Sequence, residues 1–324
     1  MRNKIFPAFV AGIYIVWLYL VITTTGFGVY LTHWLYSVMM IVGAAVAGFT
    51  PVGGGAVAYP VLSLYADLTP QIARDFSLAI QAVGMTSASI YIMTRKPYRL
   101  KFYAPIPLYV AFNFIGFIGV TAFYSYIPVH IIQMIFVTLA VAFVGSFMIT
   151  KQYGTLRTVA PKWYHIGLFS FAGGGCAALF GTGSDMMIYI MLSVYYGMRE
   201  ERATDVSIVT MAAVSVLGVL YTAPSMSPEV YPMWLVAAPV VAVFAPFGNM
   251  LLTIIRKYYM LLFVLGLSTF NYIYWGAKNP TLLLPSIAFI ITFTAIFTFQ
   301  RYGLEGTLSR QESNPIGTVR ETNT

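Results

Sequence analysis

From residue 6 to residue 299 the chain is a succession of apolar runs separated by short polar or basic stretches. The runs fall at 6–31, 34–50, 54–66, 72–94, 102–124, 131–150, 165–180, 184–197, 203–223, 231–253, 260–276 and 282–299. A helix crosses the roughly 30 Å of bilayer hydrocarbon with about 20 apolar residues, and most of these runs meet that length. Charged residues are only 9% of the chain, against about 25% in an ordinary soluble domain. That is too little polar surface to wrap a core in water. Backbone polar groups inside a membrane must be satisfied within the chain, so the runs read as helices. The chain is an all-α polytopic membrane protein.

The net charge of +8 does not imply a nucleic-acid partner. Its Lys and Arg residues stand in short clusters between apolar runs, as the positive-inside rule produces. One cysteine, Cys176, and three scattered histidines, His33, His130 and His165, offer no metal-ligand cluster. There is no G-x-x-x-x-G-K-[ST] motif, so no nucleotide is expected to drive the protein, and no cofactor or metal is expected. Met1-Arg2-Asn3-Lys4 resembles the start of a signal peptide. The apolar run that follows, to about Thr23, exceeds a signal's apolar core of about 7–15 residues, so it is expected to stay as the first membrane helix.

Two glycine-rich breaks interrupt the runs, 130 residues apart: Thr50-Pro51-Val52-Gly53-Gly54-Gly55 and Phe180-Gly181-Thr182-Gly183-Ser184-Asp185. The runs beside them are short. At about 1.5 Å per residue, a helix of about 13 to 16 residues reaches roughly 20–24 Å, less than the hydrocarbon thickness. Each pair is therefore expected to be a re-entrant hairpin with its tip at the glycines. Irregular backbone is tolerated at that depth only when shielded from lipid. The charges agree with this count. With the N-terminus inside, a hairpin at 34–66 places the most basic loop, Arg95-Lys96-Pro97-Tyr98-Arg99-Leu100-Lys101, inside as well. Lys278 is the one exception. Two thin full spans would satisfy the same count.

At the same offset Gly43 matches Gly173, Gly53 matches Gly183, and Tyr59 matches Tyr189. Ala73-x-Asp75-x-Ser77 likewise matches Ala203-x-Asp205-x-Ser207. Each repeat holds a hairpin plus three full spans, an odd number of crossings, so the two are expected to have inverted topology, with one extra helix at each end. The expected divisions are a first membrane helix (1–32), repeat 1 (33–150), a cytoplasmic linker (151–163), repeat 2 (164–276), a last membrane helix (277–300) and a disordered tail (301–324).

At each tip a second half-helix begins, with free N–H groups and the positive end of its dipole near mid-membrane. Helix N-termini favour anions, and half-helices in secondary transporters use this. The expected substrate-binding residues are Thr50, Val52, Gly53, Gly54 and Gly55 at one tip and Gly181, Thr182, Gly183 and Ser184 at the other. The bland alternative is that the small residues only permit tight helix packing. Asp185 aligns with Gly55; it reads either as a proton-coupling group or as a cap. Ser77, Gln81, Asn113 and Ser207 are weaker cavity-lining candidates, the alternative being interhelical hydrogen bonds. Asp75 and Asp205 read mainly as caps at helix entries, and Arg74 as a residue that snorkels, with attraction of an anion as its weaker reading.

The segment Gly48-Phe-Thr-Pro-Val-Gly-Gly-Gly-Ala-Val-Ala-Tyr-Pro60 resembles the glycine-rich first motif of the sulfite exporter TauE/SafE family, also called the four-toluene sulfonate uptake permeases. Ala73-Arg-Asp-Phe-Ser77 stands where that family has an Ala-x-x-Thr-Ser pattern, and Gly181-Thr-Gly-Ser-Asp185 is similar to its second glycine motif, with Ile190 in place of a downstream proline. The resemblance spans roughly 34–300. It implies a secondary transporter, not an enzyme, that moves sulfite, sulfonates, sulfoacetate-like anions or carboxylates across the inner (plasma) membrane by alternating access. Coupling to a proton, a passive anion channel on the same scaffold, and the oligomeric state (a dimer included) stay open. The expected partners are a small anion and the lipid bilayer, with both termini cytoplasmic.

Overall fold

A computed structural model of the protein describes residues 2–50, 62, 68–95, 103–149, 161–251 and 257–312. The first glycine break, with Val52, Gly53, Gly54 and Gly55, lies outside the described residues, as do most of the 54–66 run and the end of the tail. Every regular element described is a helix: α1 (Arg2–Leu20), α2 (Val29–Phe49), α3 (Pro70–Arg95), α4 (Ile106–Phe123), α5 (Val129–Ile149), α6 (Trp163–Phe180), α7 (Ser184–Tyr195), α8 (Glu200–Thr222), α9 (Val230–Leu251), α10 (Lys257–Lys278) and α11 (Pro280–Glu312).

Eight described helices are long and apolar enough to cross a membrane. Seven are runs expected to do so. The eighth is α2, expected as a half-helix from residue 34. It starts earlier, at Val29, because the chain has already turned at Gly26 (φ 63°), and nothing in Tyr30 to His33 stops a helix. Its 21 residues reach about 31 Å. The expected span α10 is absent from the eight; its apolar stretch is interrupted by Ser268, Thr269 and Asn271. Hydroxyls in other helices are satisfied locally: Ser89, Thr94, Ser146, Thr210 and Thr222 donate to the carbonyl four residues back.

α3 sits at the centre, packed on α8, α9, α6 and α1, while the terminal helices α1 and α11 are the least buried spans. The two longest contacts cross between the repeats: α2 lies along α9, and α6 along α4. Both are close because glycines let the backbones touch. A Cβ on Gly48 would strike the Ala245 carbonyl, and one on Gly248 the Ala45 carbonyl; likewise Gly174 faces the Asn113 carbonyl and Gly116 the Phe171 carbonyl. These pairs are in register. Gly48 and Gly174 are 126 positions apart, as are Ala45 and Phe171; Ala245 and Asn113 are 132 apart, as are Gly248 and Gly116. α2 and α6 thus pack at equivalent heights on α9 and α4.

α9 contains two prolines in its interior, Pro239 and Pro246, each of which leaves the carbonyl four residues back without its helical donor. Both carbonyls find donors from other helices. Trp17 Nε1 donates to Leu235 O at 2.9 Å, and Ser87 Oγ to Ala242 O at 2.6 Å. In a bilayer, where no water serves an orphan carbonyl, such donors are what allow a proline in the helix. They also fasten α1 and α3 to α9.

Candidate functional site: the second glycine break

α6 ends at Phe180, and the chain reverses through Gly181 (φ 74°) and Gly183 (φ 106°), two left-handed residues that a side chain would strain. α7 then starts at Ser184 and runs back along α6. A Cβ on Gly173 would lie 3.1 Å from Ser184 Cα and 3.3 Å from Met187 Cβ, and one on Gly183 would lie 2.8 Å from Cys176 Cβ. At the far end the arms meet again. Tyr196 Oη is 2.7 Å from His165 Nδ1 and accepts from the Lys162 N–H at 2.8 Å. The second break is therefore a helical hairpin that opens and closes at the same end. Its return arm has only 12 residues, about 18 Å of helix. Its second half, Ile190–Tyr195, is wound as π-helix.

The tip is entirely buried. Gly181, Thr182, Gly183, Ser184 and Asp185 are all closed off by neighbouring helices. Gln81 Nε2 from α3 donates to Gly181 O at 2.7 Å and to its own Ser77 O at 3.2 Å. The position of a Cβ on Gly181 falls against Arg74 O and 2.7 Å from Ser77 Cβ. Ser184 Oγ donates to Asn113 Oδ1 of α4 at 2.7 Å, and Asn113 Nδ2 is spent on Tyr109 O at 2.9 Å. Of the weaker sequence candidates, Ser77, Gln81 and Asn113 are thus gathered at this one tip. Asp185 Oδ1 accepts the Met186 N–H at 3.0 Å, which keeps the first turn of α7 capped by a carboxylate.

Several polar atoms here have no partner: Ser77 Oγ, Gln81 Oε1, Thr182 Oγ1 and Asp185 Oδ2. A buried polar group left unpaired costs about 1–3 kcal/mol, more if charged, so such a concentration is expensive unless something polar satisfies it. The larger clefts of the described residues lie elsewhere and are apolar. One of about 470 Å³ runs between α5 and α11 and reaches Cys176 and Met187. Another of about 350 Å³ lies among α3, α8 and α9. The polar tip is packed shut in this conformation.

Near the first break, the described part is the end of α2. Thr50 is buried, and both its N–H and Oγ1 donate to Val46 O, closing the helix as the backbone turns extended. Asn249 of α9 reaches over it: Nδ2 lies 3.4 Å from Gly48 O and 3.2 Å from Asp205 Oδ1. Asn249 was not singled out in the sequence, although it is an amide in an apolar helix, as Asn113 is. Ser207, two residues from Asp205, is buried and donates to Thr204 O at 2.9 Å. No described contact brings it to the second tip.

Two expectations are corrected. Asp75 and Asp205 are not exposed caps at helix entries; both are fully buried, because α3 and α8 begin several residues earlier and cross the centre of the bundle. Arg74 does not snorkel. It is 3% exposed, pairs with Asp75 at 2.7 Å, and lies 4.5 Å over the Tyr124 ring. The Ala73-x-Asp75-x-Ser77 motif thus sits against the second hairpin, and Asp205 of the matching motif is linked to the end of α2 through Asn249. No cluster of three metal-ligating side chains occurs among the described residues.

No curated protein and no solved structure matches the chain. The family described as "Sulfite exporter TauE/SafE" matches residues 35–274, which include both glycine breaks and both Ala-x-Asp-x-Ser motifs. On that match the chain belongs to the sulfite exporter TauE/SafE family of multi-pass membrane transporters.

Proposed function

We propose that the protein is a secondary transporter of small oxyanions of the sulfite and sulfonate class, with the anion held at the hairpin tips between alternating inward- and outward-open states. The observation that carries this reading is the pair of unpartnered hydroxyls around the second tip, Thr182 Oγ1 and Ser77 Oγ, beside the start of α7. A helix end carries roughly half an elementary charge, positive where N–H groups are free. At a hairpin tip the negative end of one helix lies beside the positive end of the next and opposes it. Gln81 covers Gly181 O with an amide N–H, so that carbonyl no longer faces the start of α7, where the Met186 N–H is held by Asp185 Oδ1 and is released to an anion when Asp185 gives it up. Reciprocal packing of α2 on α9 and α6 on α4 supports an inverted repeat whose two hairpins move against each other's partner helices. The membrane is taken to be the plasma membrane, with both termini cytoplasmic from the basic loops.

Asp185 supplies the coupling group in this reading. A carboxylate at the tip opposes an anion when ionised and admits it when protonated, so proton and anion travel together. The experiment is uptake of labelled sulfite, taurine, sulfoacetate and small carboxylates into proteoliposomes, with and without an imposed pH gradient. Accumulation above equilibrium driven by the gradient is expected, and Asp185→Asn should keep exchange but lose accumulation. Flux that never exceeds equilibrium in the wild type would mean a passive anion channel instead.

A further inference from the structure

Arg74, whose backbone carbonyl touches the second tip, carries a buried guanidinium, and its ion pair with Asp75 is incomplete. Adjacent residues on a helix do not face each other, so the pair forms only because Arg74 folds back over its neighbour. Both of its hydrogen bonds fall on one oxygen: Nε and Nη2 lie 2.8 and 2.7 Å from Asp75 Oδ1. Asp75 Oδ2 has no partner, nor has Tyr124 Oη, and no described hydrogen bond involves Arg74 Nη1. A buried pair that serves stability alone needs those remaining positions filled, because desolvating two charges costs several kcal/mol per ion otherwise. Here two donors, Nη1 and the Tyr124 hydroxyl, are left over beside a carboxylate that is itself half satisfied. The Tyr124 ring beneath the guanidinium fixes its plane. On the other side, the Arg74 carbonyl touches Gly181 of the tip.

We propose that Arg74, with the Tyr124 hydroxyl, is an anion-binding site beside the second tip, and that Asp75 is a tethered carboxylate occupying it until an oxyanion displaces it. This rests on the anion-transport reading above. A planar fork of N–H groups suits the paired oxygens of a sulfite, sulfonate or carboxylate. Asp75 then acts as a competitor: it keeps the charge satisfied while the site is closed, and yields it when substrate arrives. The matched position in the other repeat is Thr204, so this site exists on one side of the pseudo-symmetric bundle only.

The test is anion-dependent thermal stabilisation of purified wild type, Asp75→Asn, Arg74→Lys and the double variant R74Q/D75N, using sulfite, taurine and acetate as probes. With the competing charge gone, D75N should bind the preferred anion several-fold more tightly. The double variant, with no charge left unpaired, should fold, yet bind about tenfold or more weakly, the loss expected for a charge-assisted hydrogen bond. If the pair is structural only, R74Q/D75N restores wild-type affinity, which overturns the proposal. Should the double variant not fold, Arg74→Lys decides. It keeps the charge and loses the fork, so wild-type affinity there also overturns the proposal, and weakened affinity supports it. If the wild type binds none of the probes, the transport reading fails and this one with it; binding that is indifferent to Arg74 removes this site alone.

Discussion

α3 and α8 carry the same Ala-x-Asp-x-Ser motif at matched positions and use it differently. On α3, Asp75 meets a guanidinium from the preceding residue, and Gln81 two turns from it reaches the tip of the second hairpin. On α8 the matched positions are Thr204 and Met211; Asp205 accepts from an amide, Asn249, which links it to the end of α2. The glycine contacts of α2 on α9 and of α6 on α4 are in register with each other. The charge chemistry is not matched. Asp185 stands in the second tip itself, and Arg74 on the helix packed against it.

The strongest way to break the comparison is at the shared scaffold. Gly48→Val and Gly174→Val each push a side chain into a backbone carbonyl that cannot swing aside. Overpacking costs about 1–3 kcal/mol even where side chains can yield, and more is expected here. Both variants should lose the monodisperse peak in size-exclusion chromatography of detergent extracts. Loss in only one would show that the cross-packing is not equivalent.

The next effect falls on one side only. Gln81→Leu uncovers the Gly181 carbonyl, at a cost of about 1–3 kcal/mol. Uptake in proteoliposomes should fall about tenfold to a hundredfold, while Met211→Leu at the matched position stays within about twofold. Equal losses would place the cause in general packing of α3 and α8 rather than in the tip.

The placement of the second tip was legible in the sequence because glycine, in a run otherwise apolar, has few reasons to recur at a matched offset. Ser77, Gln81 and Asn113 were legible as polar residues in apolar helices, though not that all three converge on one tip; that depends on how α3 and α4 cross α6. The burial of Arg74 and Asp75 was hidden for a different reason. Position near the start of a run suggests an interface, and only the packing shows that α3 enters the bundle before Arg74. Asn249 was missed because it stands close to the basic residues Arg256 and Lys257, where a polar side chain attracts no notice. The length of α2 was misjudged because residues 29–31 were placed in the preceding apolar run, whereas the chain turns at Gly26 and the next helix begins at Val29.

The smallest effects belong to α8. Asp205→Asn keeps an oxygen for Asn249 Nδ2, and Ser207→Ala removes a bond only to its own helix. Either should change uptake by no more than a few-fold and shift the melting temperature by a few degrees, in keeping with a net hydrogen-bond contribution of about 1 kcal/mol. A loss as large as that of Gln81→Leu would restore symmetry to the chemistry and move the first break to equal rank.

The most direct measurement is sulfite uptake by Thr182→Val, which removes the unpartnered tip hydroxyl with almost no change in volume and leaves the glycines and the Ser184–Asn113 bond in place. An anion held at the second tip requires a folded protein whose KM rises about tenfold or more, with the melting temperature close to that of the wild type. An unchanged KM in the same folded protein would contradict it and move the substrate away from the hairpin.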